Sequence, residues 1–264
     1  MPSLRLSRPL RVPAVLAALA APVHGAAQIA TDRPDFVESS ATVGRGALQV
    51  EASVAFDAAG SHPSRTAAWS IPTLLRLGVS THVELRLESE LWVRDASSAA
   101  LAGESGLADV SVGAKWHVVD QAGARPSAAL LVHADLPSGS DGLRAEGVGT
   151  SLRAVAEWTL PRGFALGVMP GVASVAAGGG RHVAGILGAV VGKELTPSLR
   201  AFTEVAFEQL AGDPLGGHVG TLNGGLAWLA GAATQLDLAF SVGVTSAAPD
   251  VAFTLGWSRR FPFA

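Results

Sequence analysis

Residues Val83 to Arg94 read VELRLESELWVR, and apolar and charged side chains alternate along this stretch. A period of two is that of a β-strand, because successive side chains point to opposite sides of a sheet. The stretch is about twice as long as the ~5–6 residues of an ordinary strand in a soluble protein. It therefore predicts a long strand with one apolar and one charged face. Trp92 does not fit, because it falls on the charged face.

The same alternation recurs along the chain and predicts about twelve strands, an even number. Longer connections (57–66, 95–106, 138–147) alternate with shorter ones (78–81, 161–163, 195–197). Short turns on one side and long loops on the other are typical of outer-membrane barrels. The sequence therefore predicts an all-β protein, an antiparallel transmembrane β-barrel with both termini in the periplasm. The eighth predicted strand, His182 to Glu194, is apolar on both faces, so its phase is left open.

Alternation alone does not decide which face points outward. A soluble secreted barrel or sandwich would bury the apolar face and expose the charged one. Strands of about 10–13 residues, the presence of only two lysines and charges of both signs on one face favour a membrane barrel with apolar residues on lipid. The apolar face also carries five tryptophans that fit aromatic girdles, namely Trp69, Trp116, Trp158, Trp228 and Trp257.

The first 27 residues are predicted to be a signal peptide. Three arginines precede a short apolar run, Val12 to Val23, and Gly25-Ala26-Ala27 offers small residues for cleavage. We further predict an N-terminal periplasmic segment over 28–45 and the transmembrane barrel over 46–264. Without the three leader arginines, 16 basic residues face 22 acidic ones, which argues against a nucleic-acid partner. The absence of cysteine excludes disulfides and thiol chemistry.

The polar face of the predicted strands supplies candidate lumen residues. As function, they would set a field that selects among solutes. As structure, they would fill a narrow lumen with a hydrogen-bonded network. The set is Glu51, Arg76, Glu84, Arg86, Glu88, Glu90, Arg94, Asp109, Lys115, Arg153, Glu157, Arg200, Glu204, Glu208, Asp237 and Arg260.

The segment before the first strand supplies candidate gating residues, Asp32, Arg33 and Asp35. They would dock in the barrel floor and gate it, or they form a polar lead-in to a turn at Pro34.

Other polar residues have no motif spacing. His117, His133 and Asp135 are possible ligands or bases, and Ser111 and His133 lie on strands that could be neighbours, but none sits in a recognisable metal or nucleophile motif. We therefore predict no catalytic residue, no metal site and no cofactor.

Several short motifs resemble the family named for the MetA pathway of phenol degradation. They are Thr31-Asp32-Arg33-Pro34-Asp35-Phe36, Gly113-Ala114-Lys115-Trp116 and Leu136-Pro137-Ser138-Gly139, and the similarity covers essentially the mature chain. The resemblance implies an outer-membrane barrel that passes hydrophobic or aromatic compounds. Barrels of this kind often end in an aromatic residue that the assembly machinery reads, and here Phe263 is followed by Ala264.

Together these patterns predict a passive outer-membrane channel or transporter for small, including hydrophobic or aromatic, molecules. The alternative is a barrel without transport, either structural or lipid-hydrolysing. The expected partners are outer-membrane lipid, an unidentified solute and the barrel-assembly machinery.

Overall fold

A single antiparallel sheet of 15 strands dominates the protein, seen in a computed structural model that describes residues 28–60, 66–95, 105–212 and 215–263. The predicted signal peptide lies outside the described residues. The strands are β1 (Ala47–Ala59), β2 (Thr66–Ser70), β3 (Thr73–Gly78), β4 (Val83–Ser89), β5 (Trp92–Asp95), β6 (Ser105–Leu107), β7 (Val110–Val119), β8 (Ser127–Leu136), β9 (Gly149–Leu160), β10 (Phe164–Ala177), β11 (Gly180–Thr196), β12 (Leu199–Leu210), β13 (Val219–Leu229), β14 (Thr234–Gly243) and β15 (Val251–Pro262). A 3₁₀ turn, Pro161–Gly163, joins β9 to β10.

The sheet closes into a barrel because the first strand pairs with the last. The β1–β15 ladder runs from Ala47 opposite Pro262 to Ala58 opposite Val251. Three barrel strands are each interrupted once, giving the pairs β2/β3, β4/β5 and β6/β7. Each of these pairs forms one barrel-spanning strand, and a barrel-spanning strand, whether continuous or interrupted, is here called a stave. The barrel therefore has twelve antiparallel staves, which confirms the predicted number. Among the described residues, no helix has the length and apolar character needed to cross a membrane.

The stretch Val83 to Arg94 is not the continuous strand that its alternation predicts. It breaks at Glu90 and Leu91, where Leu91 has a φ of 48°. From the pair Thr73–Ser89 to the pair Ser70–Val93, the chain advances by three residues along β2/β3 but by four residues along β4/β5. The extra residue is a β-bulge, which reverses the side to which the following side chains point.

The bulge corrects two assignments made from the sequence. Arg94 lies opposite Trp69, and paired residues share a face of the sheet. Trp69 is 43 % exposed on the outer face, so the prediction that Arg94 faces the lumen is wrong. Trp92 lies two residues before Arg94 on β5 and therefore also points outward, which explains why it did not fit the inward charged face.

Burial is inverted relative to that of a soluble protein. The side chains of Arg76 and Lys115 are completely buried inside the barrel, at 0 % exposure, whereas Val132 and Phe240 are each 51 % exposed outside. An apolar exterior around a polar interior is the pattern of a barrel whose outer surface contacts lipid. The tryptophans follow it, because Trp228 and Trp257 flank Leu236 in one outward row beside the short turns.

One wall of the lumen is largely apolar. It includes the eighth predicted strand, β11, and the structure shows which of its residues point inward. On β11, Ile186 and Val190 point inward and are buried, while Leu187 and Val191 point outward. The inward residues join a cluster with the neighbouring staves, consisting of Val37, Ala129, Leu131, Val155, Met169, Val190 and Phe202. The lumen therefore has a charged wall on β1, β3, β4 and β7 and a largely apolar wall on β8 to β12, where charged residues of β9 and β12 also point inward.

The outward apolar band predicts a depth-dependent penalty for charge. Val132→Arg, in the middle of β8, is expected to lower the free energy of unfolding in lipid by about 2–4 kcal/mol, because it places a cation near the bilayer centre. The matched variant Leu136→Arg, at the end of the same strand, is expected to cost only about 0–1 kcal/mol. Chemical unfolding in vesicles measures both values. Equal costs at the two positions would contradict the lipid-facing assignment.

Candidate functional site

The N-terminal segment lies inside the barrel. Residues 29–44, here called the plug, bury Asp32, Val37 and Glu38 to between 4 and 6 % exposure. Asp32 contacts the charged wall, and Val37 packs against the apolar wall. The predicted periplasmic segment 28–45 is therefore corrected to a lumenal plug, because its carboxylates and backbone amides find complementary groups in the lumen.

Asp32 of the plug is paired with three cations of the barrel wall. Its carboxylate lies 2.6 Å from Arg86, 2.8 Å from Lys115 and 3.4 Å from Arg76. Burial opposes ionisation of this carboxyl, but the three cations outweigh burial and place the pKa of Asp32 well below its usual range. The plug therefore carries a permanent negative charge at its main anchor.

Two further plug carboxylates bind other staves. Glu38 lies 2.8 Å from Arg86 and 2.9 Å from Arg153 of β9. Asp35 pairs with Arg200 of β12 through both carboxylate oxygens. Asp32 and Glu38 share Arg86 of β4, while Arg153 and Arg200 lie on β9 and β12, so the three carboxylates fix the plug to several parts of the wall.

The barrel's own carboxylates accept hydrogen bonds from the backbone of the plug. Glu51 accepts from the amides of Asp32 and Arg33, at 3.0 and 3.1 Å. Three more barrel carboxylates act in the same way: Glu204 accepts from Phe36 and Val37 at 2.9 and 2.7 Å, Glu157 from Ser40 at 2.5 Å, and Glu84 from Val43 at 2.8 Å. Amides that have no strand partner are thereby satisfied, as buried backbone groups require.

On the apolar wall the plug is held by close packing. A Cβ atom at Gly188 would lie 2.6 Å from Val37 and 3.0 Å from Phe36, so only glycine leaves room for the plug there. Val37 also belongs to the apolar cluster on the inner face of β8 to β12. The plug thus contacts both walls of the lumen, by charge and hydrogen bonds on both sides and by apolar packing on β8 to β12.

The plug separates two cavities in the lumen. The larger, about 650 Å³, lies toward the long loops and is lined by Phe36, Glu90, Glu208 and Phe253 among others. The smaller, about 250 Å³, lies toward the short turns and is lined by Gln28, Pro197 and Gln235 among others. Plug residues line both cavities, so the plug stands between them.

The larger cavity has an excess of carboxylates. Glu90, Asp109, Asp135 and Glu208 line it, and none of them forms an ion pair with another described residue. Asp109 is held at the rim, where it accepts hydrogen bonds from the amides of Gly139 and Ala145 at 2.7 and 2.8 Å. This cavity is therefore suited to cations or to hydrogen-bond donors.

The predicted lumen residues divide into three groups. Most of them hold the plug or its network: Glu51, Arg76, Glu84, Arg86, Glu88, Lys115, Arg153, Glu157, Arg200, Glu204, Asp237 and Arg260. Three line the larger cavity without an ion pair, namely Glu90, Asp109 and Glu208. Arg94 alone lies on the outer face.

The predicted gating residues all contact the barrel. Arg33 lies 3.5 Å from Asp237 of β14, while Asp32 and Asp35 bind the cations described above. Sequence reasoning omitted Glu38 from this group. The spacing of three residues shared by Asp32, Asp35 and Glu38 is the signal that could have revealed it.

Several solved structures share this fold. The COG4313 outer membrane channel from Pseudomonas putida F1 is similar with a TM-score of 0.64 and 13 % identity, over 84 % of this chain and 98 % of that one. The β domain of the Bordetella autotransporter BrkA has a TM-score of 0.54 and 13 % identity, over 81 % and 99 % of the two chains. The KdgM porin has a TM-score of 0.50 and 11 % identity, over the same shares.

At these identities the structural likeness shows a shared fold, that of outer-membrane β-barrels. No curated protein matches the sequence. The family described as "Putative MetA-pathway of phenol degradation" matches residues 31–261, which is most of the chain. The resemblance seen in the short motifs is thereby confirmed, and the chain belongs to this family.

Proposed function

We propose that this protein is a non-enzymatic channel that passes small molecules across the outer membrane and is closed at rest by its plug. One observation carries the proposal: two cavities lie in one lumen, and residues of the plug line both of them. Single-channel recording of the refolded chain in planar bilayers tests it, since discrete conductance steps require that the plug can leave.

The way the plug is held supports reversible opening. Its described contacts are ion pairs, hydrogen bonds and packing, and none of its residues belongs to a barrel strand. The barrel ladder from β1 to β15 is complete without it. Breaking one buried ion pair by removing a partner costs about 3–5 kcal/mol, so spontaneous opening is expected to be rare.

We place both termini in the periplasm and the larger cavity on the external side. The even number of staves supports this arrangement, as does the greater length of the loops that surround the larger cavity. Protease treatment of intact cells expressing the protein tests it, because only the long loops should then be cleaved.

For the solute we favour small hydrophobic or aromatic molecules. The family description, with its reference to phenol degradation, supports this choice. The aromatic ring of Phe36 in the lining of the larger cavity also supports it. Uptake of phenol and of a sugar of similar mass into vesicles, each measured as the excess over protein-free vesicles, compares the two solute classes; a larger protein-dependent entry of the sugar would contradict the choice.

A lipid-hydrolysing barrel has less support. Ser111 and His133 are on neighbouring strands, but they are paired with Asp135 and Gly113 respectively and not with each other. Both belong to the inward rows of β7 and β8, and His133 is buried. An enzyme acting on bilayer lipid must present its nucleophile to that lipid, which this placement does not do.

Enlarging Gly188 should open the channel. Gly188→Val puts side-chain atoms where Val37 and Phe36 now lie. Overpacking of this kind costs about 1–3 kcal/mol, so the open fraction should rise at least about fivefold in single-channel records. Gly224→Val is the matched control, because the nearest contact of its Cβ is at 3.4 Å. An unchanged open fraction in Gly188→Val would show that the plug does not limit conduction.

Neutralising the unpaired carboxylates should weaken cation preference. A double variant, Glu90→Gln with Glu208→Gln, removes two negative charges from the larger cavity. Two charges about 4 Å apart interact by about 1 kcal/mol in water, so the cation-to-anion permeability ratio should fall severalfold. Reversal potentials in a salt gradient give this ratio. Asp141→Asn with Glu146→Gln, on an exposed loop, provides the control. Equal shifts in both double variants would rule out a selective role for the cavity.

A further inference from the structure

One cluster in the lumen has the composition of a metal site. We propose that Glu38, Glu88 and His133 bind a divalent transition-metal ion of the zinc class, which fastens the plug to the barrel wall. The plug supplies Glu38, β4 supplies Glu88 and β8 supplies His133. Nitrogen of imidazole with carboxylate oxygen is a donor set that Zn²⁺ accepts readily.

The geometry is close to that of a bound ion. One carboxylate oxygen from each glutamate and one ring nitrogen of His133 all lie within 4.8 Å of one another. Ligand atoms about 2.1 Å from a tetrahedral zinc ion are roughly 3.4 Å apart. Small side-chain rotations therefore suffice to close the three ligands on a metal, with water in the remaining position.

His133 provides independent support for a ligand. It is only 5 % exposed, and neither of its ring nitrogens has a hydrogen-bond partner within the described part of the chain. Nε2 lies 3.0 Å from a Glu88 carboxylate oxygen, but without the alignment of a hydrogen bond. Buried polar groups are nearly always satisfied, so a buried imidazole with an unpartnered Nδ1 and a misaligned contact between Nε2 and Glu88 indicates an absent partner.

The position of the imidazole ring is fixed by its neighbour on β7. Gly113 lies opposite His133, and a Cβ there would be 2.3 Å from the ring carbon Cδ2. Any larger residue at 113 would displace the ring from the glutamates. The backbone of β7 thus leaves the space that His133 occupies.

Neighbouring cations orient the two carboxylates. Arg86 lies 2.9 Å from Glu88 and 2.8 Å from Glu38, and Arg153 lies 2.9 Å from the other oxygen of Glu38. Metal-ligating carboxylates are commonly hydrogen-bonded in this way by outer partners. Arg86 is shared with Asp32 and Glu84, at 2.6 and 3.0 Å, and Lys115, 3.5 Å from Glu38, is shared with Asp32 at 2.8 Å. These cations therefore only partly offset the charge of the two glutamates.

A bound ion would tighten closure, because one of its ligands lies on the plug and two lie on the wall. Releasing the plug would then require breaking a metal–carboxylate bond in addition to the ion pairs. This effect on conductance rests on the proposed channel function, whereas metal binding itself does not.

Titration of the refolded full barrel with Co²⁺ tests the site directly. We expect one ion to bind with the visible absorption of a nitrogen- and oxygen-ligated cobalt, and Zn²⁺ to displace it. His133→Gln and Glu38→Gln should each lower the affinity at least about tenfold. The control is His182→Gln, a histidine near the β10–β11 hairpin, which should bind as the wild type does. Gel mobility before and after heating verifies that each variant is a folded barrel.

Two outcomes would overturn the site: no Co²⁺ or Zn²⁺ binding by the wild type, or binding that neither His133→Gln nor Glu38→Gln weakens. The wild-type titration alone decides the first, whatever the variants do. In bilayers, Zn²⁺ should reduce opening of the wild type and leave His133→Gln unaffected. Specific Co²⁺ binding by a barrel that never conducts would support the metal site and contradict the channel function.

Discussion

The closed state of this barrel depends on a reciprocal pairing of charges between the plug and the wall. Carboxylates of the plug bind cations of the wall, as Asp32 binds Arg86 and Lys115, while carboxylates of the wall accept hydrogen bonds from plug amides, as Glu204 does from Val37. A buried charge without a partner is costly in a medium of low dielectric constant. The carboxylates, cations and amides of the plug and of the charged wall can therefore be buried away from water only when the two are docked together.

The two walls of the lumen hold the plug through different kinds of contact. The charged wall fixes the direction of the plug through contacts that depend strongly on geometry, since a cation and a carboxylate must meet at hydrogen-bonding distance. The apolar wall sets its depth, because Val37 fits beside Gly188 only if no larger side chain is present there. The charge and packing requirements together select one docked position, with a cavity on each side.

The same arrangement explains how a narrow barrel full of charge can still serve a solute. Most inward charges on β3, β4 and β7 are occupied by the plug and are not free to attract ions. The unpaired carboxylates lie in the larger cavity, where Glu90 and Glu208 can face an incoming molecule. Charges that hold the plug and charges that face the solute thus lie at different depths of one lumen. The same alternating sequence pattern predicts both kinds, so the pattern does not distinguish them.

The sequence by itself determined the number of staves, their inward and outward rows and the family, because a period of two and the length needed to cross a bilayer are local properties of a strand. Only the tertiary structure decided the rest. The bulge at Leu91 turns Arg94 outward, and the misfit of Trp92 in the alternation signals an irregularity there without locating the extra residue. The plug is held by pairs as distant as Asp32 and Arg86, which are 54 residues apart, and His133 meets Glu38 only because the chain closes on itself. Contacts between remote residues depend on the register of the whole barrel, and a pattern that repeats every two residues carries no information about that register.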